Sequence, residues 1–173
     1  MGAEVLVRLS DANGAAMEVK DLTLARAFLK DYTDAIGRPT LTLESKQVPR
    51  IGTEWPGQGG VYAGLCRGVD GQPDFHLFVH AEEKESIQWQ PAIDWAKTLE
   101  ADGHKDFALP TRKEQAVLFG NVPELFQPKW YWSCEDASDP GSAWCQHFSG
   151  GTRDVGWKDG DYRARAVRRL IIQ

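Results

Sequence analysis

No stretch of this 173-residue chain stays apolar long enough to cross a bilayer as a helix, which takes about 20 such residues. Cysteine is scarce too: Cys66, Cys134 and Cys145 give an odd count without the CxxC spacing of zinc or redox sites. GxSxG, HExxH, the phosphate-binding glycine loop and the dinucleotide fingerprint are all missing, so the usual hydrolase, zinc-protease, nucleotidase and dehydrogenase signatures drop out. Positive charge is in deficit, with 20 Lys and Arg against 25 Asp and Glu for a net charge of −5. A general nucleic-acid binder needs the opposite field, so no nucleic-acid partner is expected. The opening MGAEVLVRLSDANG carries Glu4 and Arg8 where a secretory signal or an anchor would be apolar. Synthesis in a cytoplasm without a signal peptide, and no membrane partner, are the expectations. Met1-Gly2 opens like a myristoylation site, but Leu6 stands where that signal wants Ser or Thr.

What remains is the composition of a packed domain. Hydrophobic residues make up 42% of the chain and seven residues are Trp, enough for one domain with a full core or for a core domain with a modest extension. Residues 4–19 read as two short strands around Asn13-Gly14, a pair suited to a tight hairpin turn. Leu22, Ala25, Leu29, Tyr32 and Ile36 then fall on one helical stripe, with Asp21 as cap and Gly37 as stop. TLTLE alternates as a strand and runs into a Pro-broken connection, so residues 45–50 are the best boundary in the chain. Residues 1–49 are expected to form an accessory hairpin and helix that packs on the main domain or mediates homo-oligomerisation, and residues 50–173 form the main domain.

Within residues 50–173, the Gly-rich stretch from Gly57 to Gly60 leads into a strand, Asp70-Gly71 makes a turn, and a second strand covers 75–80. Ala92, Trp95, Ala96 and Leu99 have helical spacing, with Gly103 as terminator. Thr111 stands three residues before Glu114, a capping-box pattern for a short helix ending near Phe119. The last third, from Trp130 onward, is strand and turn again. Strands grouped at both ends around two central helices indicate an α+β fold with mainly antiparallel pairing.

The blocks GQGGVYAGL, WAKTLEADGHKDFALPTRKEQAVLF, WYWSC, AWCQHFSGG and YRARAVRRL resemble the C-type-lectin-fold domains of unassigned function found in bacteria, phages and prophages. That family is similar to the C-terminal domain of a bacterial collagen-like adhesin and, more distantly, to formylglycine-generating enzymes and retroelement variable proteins. The resemblance covers roughly residues 50–172. It implies a C-type-lectin-like scaffold whose loops bind something, often at a cell surface, and leaves the ligand open. Cys134 and Cys145 replace the Ser and Tyr of the family pattern, which leaves two readings: free structural thiols, or a disulfide across a hairpin in an oxidising setting. The copper-binding enzymes of the fold use two closely spaced cysteines, whereas these two lie eleven residues apart. No enzymatic activity and no cofactor are therefore expected.

Seven aromatic residues crowd into the last 44 positions: Trp130, Tyr131, Trp132, Trp144, Phe148, Trp157 and Tyr162. Because neighbours on a strand point to opposite faces, they are not expected all to be core. The expectation is that Trp132, Trp144 and Phe148 are core while Tyr131, Trp157 and Tyr162 reach the surface. Glu135, Asp136, Ser138 and Asp139 in the first turn, with Arg153 and Asp159 near the second, complete the candidate ligand-binding set. Loops 135–142 and 149–161 are the expected display surface. The QPD at Gln72–Asp74 lacks the later Trp-Asn-Asp of calcium-dependent lectins, so no metal is assigned. His76 and His80 would lie roughly 13 Å apart on a strand, too far for a shared metal. Arg163, Arg165, Arg168 and Arg169 form a dense basic run with two readings: an oxyanion site, or pairing with Asp159 and Asp161 along an edge strand.

The function expected is a non-enzymatic binding module of phage or prophage origin that recognises a host surface glycan or protein, associated with the virion. The alternative is an intracellular phage-encoded factor acting on a host protein.

Overall fold

The computed structural model describes residues 48–172 with their side chains, and the backbone of three strands nearer the N-terminus. The chain divides into two compact units, Met1–Val48 and Pro49–Gln173. In the first, β1 (Leu6–Ser10) pairs antiparallel with both β2 (Ala16–Val19) and β3 (Thr40–Glu44), in the order β2-β1-β3. The β1–β2 ladder ends at the Ser10↔Ala16 pair, and the Asn13-Gly14 turn read from the sequence lies outside the described residues. The helical stripe read over residues 22–36 lies outside the described residues.

The second unit is a six-stranded sheet, ordered β4-β5-β9-β6-β7-β8. Its strands are β4 (Val61–Cys66), β5 (Phe75–Ile87), β6 (Trp130–Asp136), β7 (Ser142–His147), β8 (Arg153–Trp157) and β9 (Tyr162–Ile171). All neighbours are antiparallel except β6 and β9, which meet in parallel at Tyr131↔Arg163. The unit is thus α+β, mostly strand, with two helices: α1 (Trp89–Thr98) and α2 (Arg112–Asn121). The first strand pair turns through Asp70 at φ 54° and Gly71 at φ 82°, as expected of a two-residue turn with positive φ. Gly68 is fixed by close approach, since a Cβ there would stand 1.8 Å from the Gln72 carbonyl oxygen.

One helix covers each face of the sheet, and the alternation of β9 shows it. Ala164 and Ala166 join α1 and Trp132 in one buried cluster, while Val167 joins Leu77, Val79, Leu118 and Tyr131 in the other, under α2. Helix α2 starts as its sequence predicts: Thr111 Oγ1 accepts from the Glu114 amide, and Glu114 Oε2 accepts from the Thr111 amide. It runs to Asn121 rather than stopping at Phe119. Helix α1 ends at Thr98, where Leu99 turns extended, and Gly103 serves a later turn instead of terminating the helix. Strand β5 continues past His80 to Ile87, carried through a break in register by its pairing with β9.

The basic strand is not an edge. β9 lies in the middle of the sheet, and its arginines reach acids other than Asp159 and Asp161. Arg163 and Arg165 share Glu83, Arg168 pairs with Asp106 at 2.7 Å, and Arg169 pairs with Glu114. These guanidiniums lie across the covered faces of the sheet and neutralise acids carried by other elements.

Candidate functional site

Among the expected site residues, the structure draws a sharp division. Tyr131 is 1% exposed, not a surface ring: it sits under α2, donates its hydroxyl proton to Glu83 Oε1 at 2.5 Å and accepts from the Gln127 amide at 2.9 Å. Burial and the Glu83 carboxylate push its phenol up to about 12. Tyr162 is half-buried, its ring 4.5 Å from that of Trp132 on the opposite side of the sheet. Both were expected to be exposed by alternation, and both fail that expectation because each lies where a helix-backed cluster covers its face of the sheet. Trp144, expected in the core, is only half-buried: it lies on α2's face at the start of that helix, with the Arg112 guanidinium 4.3 Å from its ring.

Glu135 is likewise not a free loop ligand. It lies near the end of β6, half-buried, accepting from the Arg112 amide at 2.9 Å and from Arg112 Nε at 2.5 Å, and so holds the first residue of α2. Of the remaining members, Asp136, Asp139 and Trp157 come together around Gly141 and Lys158 at one corner of the sheet, while Arg153 lies at the other end of β8. β8 is a strand, not part of a 149–161 loop, and its pairs Trp157↔Ser142, Val155↔Trp144 and Arg153↔Gln146 put Arg153, Val155 and Trp157 on the same face. Trp157 is 67% exposed and Val155 45%.

The turn beside them is tightly held. Ser142 donates to Asp139 through its amide at 3.0 Å and its hydroxyl at 2.9 Å, the pattern that Asp favours at a turn. Lys158 ties the turn to the following loop: its ammonium bonds the Asp136 carboxylate and the Pro140 carbonyl, and its amide donates to the Gly141 carbonyl at 2.9 Å. Gly141 is where the Trp157 ring rests, since a Cβ there would lie 3.3 Å from the indole. Asp159 is anchored by its carbonyl, which accepts from Gln88. The result is an exposed indole resting against Gly141, next to the Asp139 carboxylate and followed by the Lys158 that holds Asp136.

A second concavity lies on the same face, one that sequence reasoning missed. It is a groove of about 1220 Å³ between the 67–73 turn and the start of α2. Its apolar lining includes Leu65, Val69 and Phe75, and the exposed Arg67, Lys113 and Arg153 form its charged rim. No local pattern could have signalled it, because the two walls are some 40 residues apart in the chain.

The nucleophile candidates are structural. Among the described cysteines all three are free, and the register sets Trp132, not Cys134, opposite Cys145. Burial pushes the Cys66 thiol up to about 11 and the Cys145 thiol up to about 12. Cys145 donates to the Asp154 carbonyl, while His147 Nδ1 accepts from Ser149. His76 bonds the Tyr62 hydroxyl at 2.9 Å and His80 accepts from the Glu82 amide at 3.0 Å, so the two rings serve separate structural contacts. Among the described residues no group of three His, Cys, Asp or Glu side chains gathers in metal-binding fashion. No helix of the described residues is long and apolar enough to cross a membrane.

The main unit is an α+β sheet with a helix on each face, buried thiols and one exposed indole. Residues 72–168, more than half of the chain, match the profile of the Lcl C-terminal domain. The chain belongs to the Lcl C-terminal domain family. No curated protein matches it.

Proposed function

We propose that this chain is a non-enzymatic binding module, with a C-type-lectin-like main unit, that presents the 136–141 turn and strand β8 to a host surface glycan or protein. In this reading it is of phage or prophage origin and associated with the virion. The observation that carries the reading is Trp157, an indole left 67% exposed yet held against Gly141 beside a turn fixed by Lys158. Exposing a large ring forgoes the burial that would otherwise stabilise the fold, and rigid aromatic anchors are what recognition surfaces use to limit the entropy lost on binding. The buried thiols support a role without nucleophilic chemistry. The three unpaired cysteines favour the second setting, an intracellular phage-encoded factor on a host protein, because free thiols persist in reducing compartments.

The test is a glycan array together with a pull-down on host surface and cytosolic fractions. It uses wild type, Trp157→Ala and the triple variant Asp136→Ala, Ser138→Ala, Asp139→Ala, each checked first by thermal melt. Loss of a wild-type ligand in both variants at unchanged Tm supports the assignment, and the fraction that supplies the ligand decides between surface and intracellular action. Ligands that survive both changes refute it.

A further inference from the structure

We infer that the groove between the 67–73 turn and the start of α2 docks an extended peptide segment carrying Asp or Glu beside a large apolar side chain. The site takes Arg153 from the near end of β8 but none of Trp157 or the 136–141 turn, and does not depend on their role.

Charge is the first argument. The chain as a whole is −5, yet this groove is lined by Arg67, Arg112, Lys113, Arg153 and Arg169 against Asp70, Glu114 and Glu135. Arg112 is neutralised by Glu135 and Arg169 by Glu114. Among the described residues no carboxylate pairs with Arg67, Lys113 or Arg153, so the field left over in the groove is positive in an otherwise acidic molecule. A carboxylate-bearing partner is the complement of that field.

Apolar exposure is the second argument. Leu65 is 52% exposed, Val69 43% and Ile171 49%, and all three line the groove. A purely ionic polymer would gain nothing from them, whereas an apolar side chain between acidic ones would cover them while its neighbours meet the rim. The walls are preformed. Gly68 donates to Asp74 Oδ1 at 2.9 Å and Gln72 to the Val69 carbonyl at 3.1 Å, while the capping box fixes Thr111 and Glu114 opposite. A volume of about 1220 Å³ accommodates several residues of extended chain and exceeds the usual small-molecule pocket of about 300–1,000 Å³.

The experiment selects binders to the full-length chain from a random twelve-residue peptide library and measures the recovered peptides by fluorescence anisotropy. The variants are Arg67→Glu with Lys113→Glu, Leu65→Ser with Val69→Ser, and Trp157→Ala. Selected peptides should combine acidic and large apolar residues, should bind more weakly as salt rises, and should lose at least tenfold in affinity in each of the first two variants. Trp157→Ala should leave them unchanged, which separates this groove from the β8 corner. A failure to enrich any sequence, enrichment of peptides without acidic residues, or binding that survives both groove variants would overturn the proposal. So would inorganic polyphosphate binding as tightly as the peptides and indifferent to Leu65→Ser with Val69→Ser, since that describes a general polyanion cleft.

Discussion

Replacing Glu114 by Gln isolates an ion pair from the helix cap that shares its carboxylate. The Glu114 side chain is 3% exposed and accepts from Arg169 Nε at 2.5 Å and Nη2 at 2.6 Å, while Oε2 also accepts from the Thr111 amide at 2.7 Å. Gln keeps the length and one carbonyl for Thr111, but it removes the charge and turns an NH2 group toward a guanidinium. Removing one partner of a buried pair costs about 3–5 kcal/mol. Arg169 opens onto the groove with its side chain 28% exposed, so hydration recovers part of that loss and about 3 kcal/mol is expected. At about 3–5 °C per kcal/mol for a unit of this size, Tm should fall by about 9–15 °C.

A second readout depends on charge alone. Burial holds the Cys66 thiol up at about 11, Glu114 raises it further and Arg169 pulls it down. With Glu114 neutral the pull remains, so Cys66 gains thiolate and should be alkylated faster by iodoacetamide under native conditions. Cys145, buried elsewhere with its own Asp154 neighbour, is the internal control, and mass spectrometry resolves the two sites. A Tm within 2 °C of wild type, taken as roughly the scatter of a melt, would refute the energetic argument. Equal acceleration at Cys66 and Cys145 would refute the electrostatic one.

Two other outcomes follow from the sheet. Trp132→Ala should cost about 3–5 kcal/mol, because the ring is fully buried and its Nε1 donates to the Ile87 carbonyl, whereas half-buried Trp144→Ala should cost clearly less by urea unfolding; equal losses would contradict the assignment of the two rings. Burial holds His76 and His80 below their usual 6.5, so the unfolded state binds more protons as pH drops beneath that value, and stability should be complete above about pH 6.5 and decline below it. Glu83 adds a second loss at lower pH: burial raises its carboxyl, but hydrogen bonds from Tyr131, Arg165 and Arg163 outweigh that and hold it below its usual 4.5. Unfolding free energy that stays flat from about pH 7 to about pH 5 would refute the histidine assignment, and a flat course from about pH 4.5 to about pH 2 would refute that of Glu83.

Local chemistry was legible in the sequence wherever it depends on residues a few positions apart. Asp70-Gly71 marked its turn, and Thr111 with Glu114 marked the start of α2 with the very hydrogen bonds it forms. The strand-rich ends and the two central helices followed from periodicity, and the family blocks from their order. Trp157 was correctly placed outside and Trp132 and Phe148 inside.

The failures share one cause. Strand alternation says that Tyr131 and Trp132 point to opposite faces, and so they do, but only the tertiary structure shows that a helix lies on each face and buries both. The same packing set β9 in the middle of the sheet, where its arginines meet Glu83, Asp106 and Glu114 across 50 or more positions of chain, instead of nearby Asp159 and Asp161. It also drew Glu135 out of the candidate loop to the start of α2, and it opened the groove between the 67–73 turn and that helix. The sequence by itself determined turns, caps and the period of each element, because those are settled by neighbours along the chain. Which faces are dry, which charges meet and where a concavity forms depend on elements brought together from distant positions, and only their packing decided them.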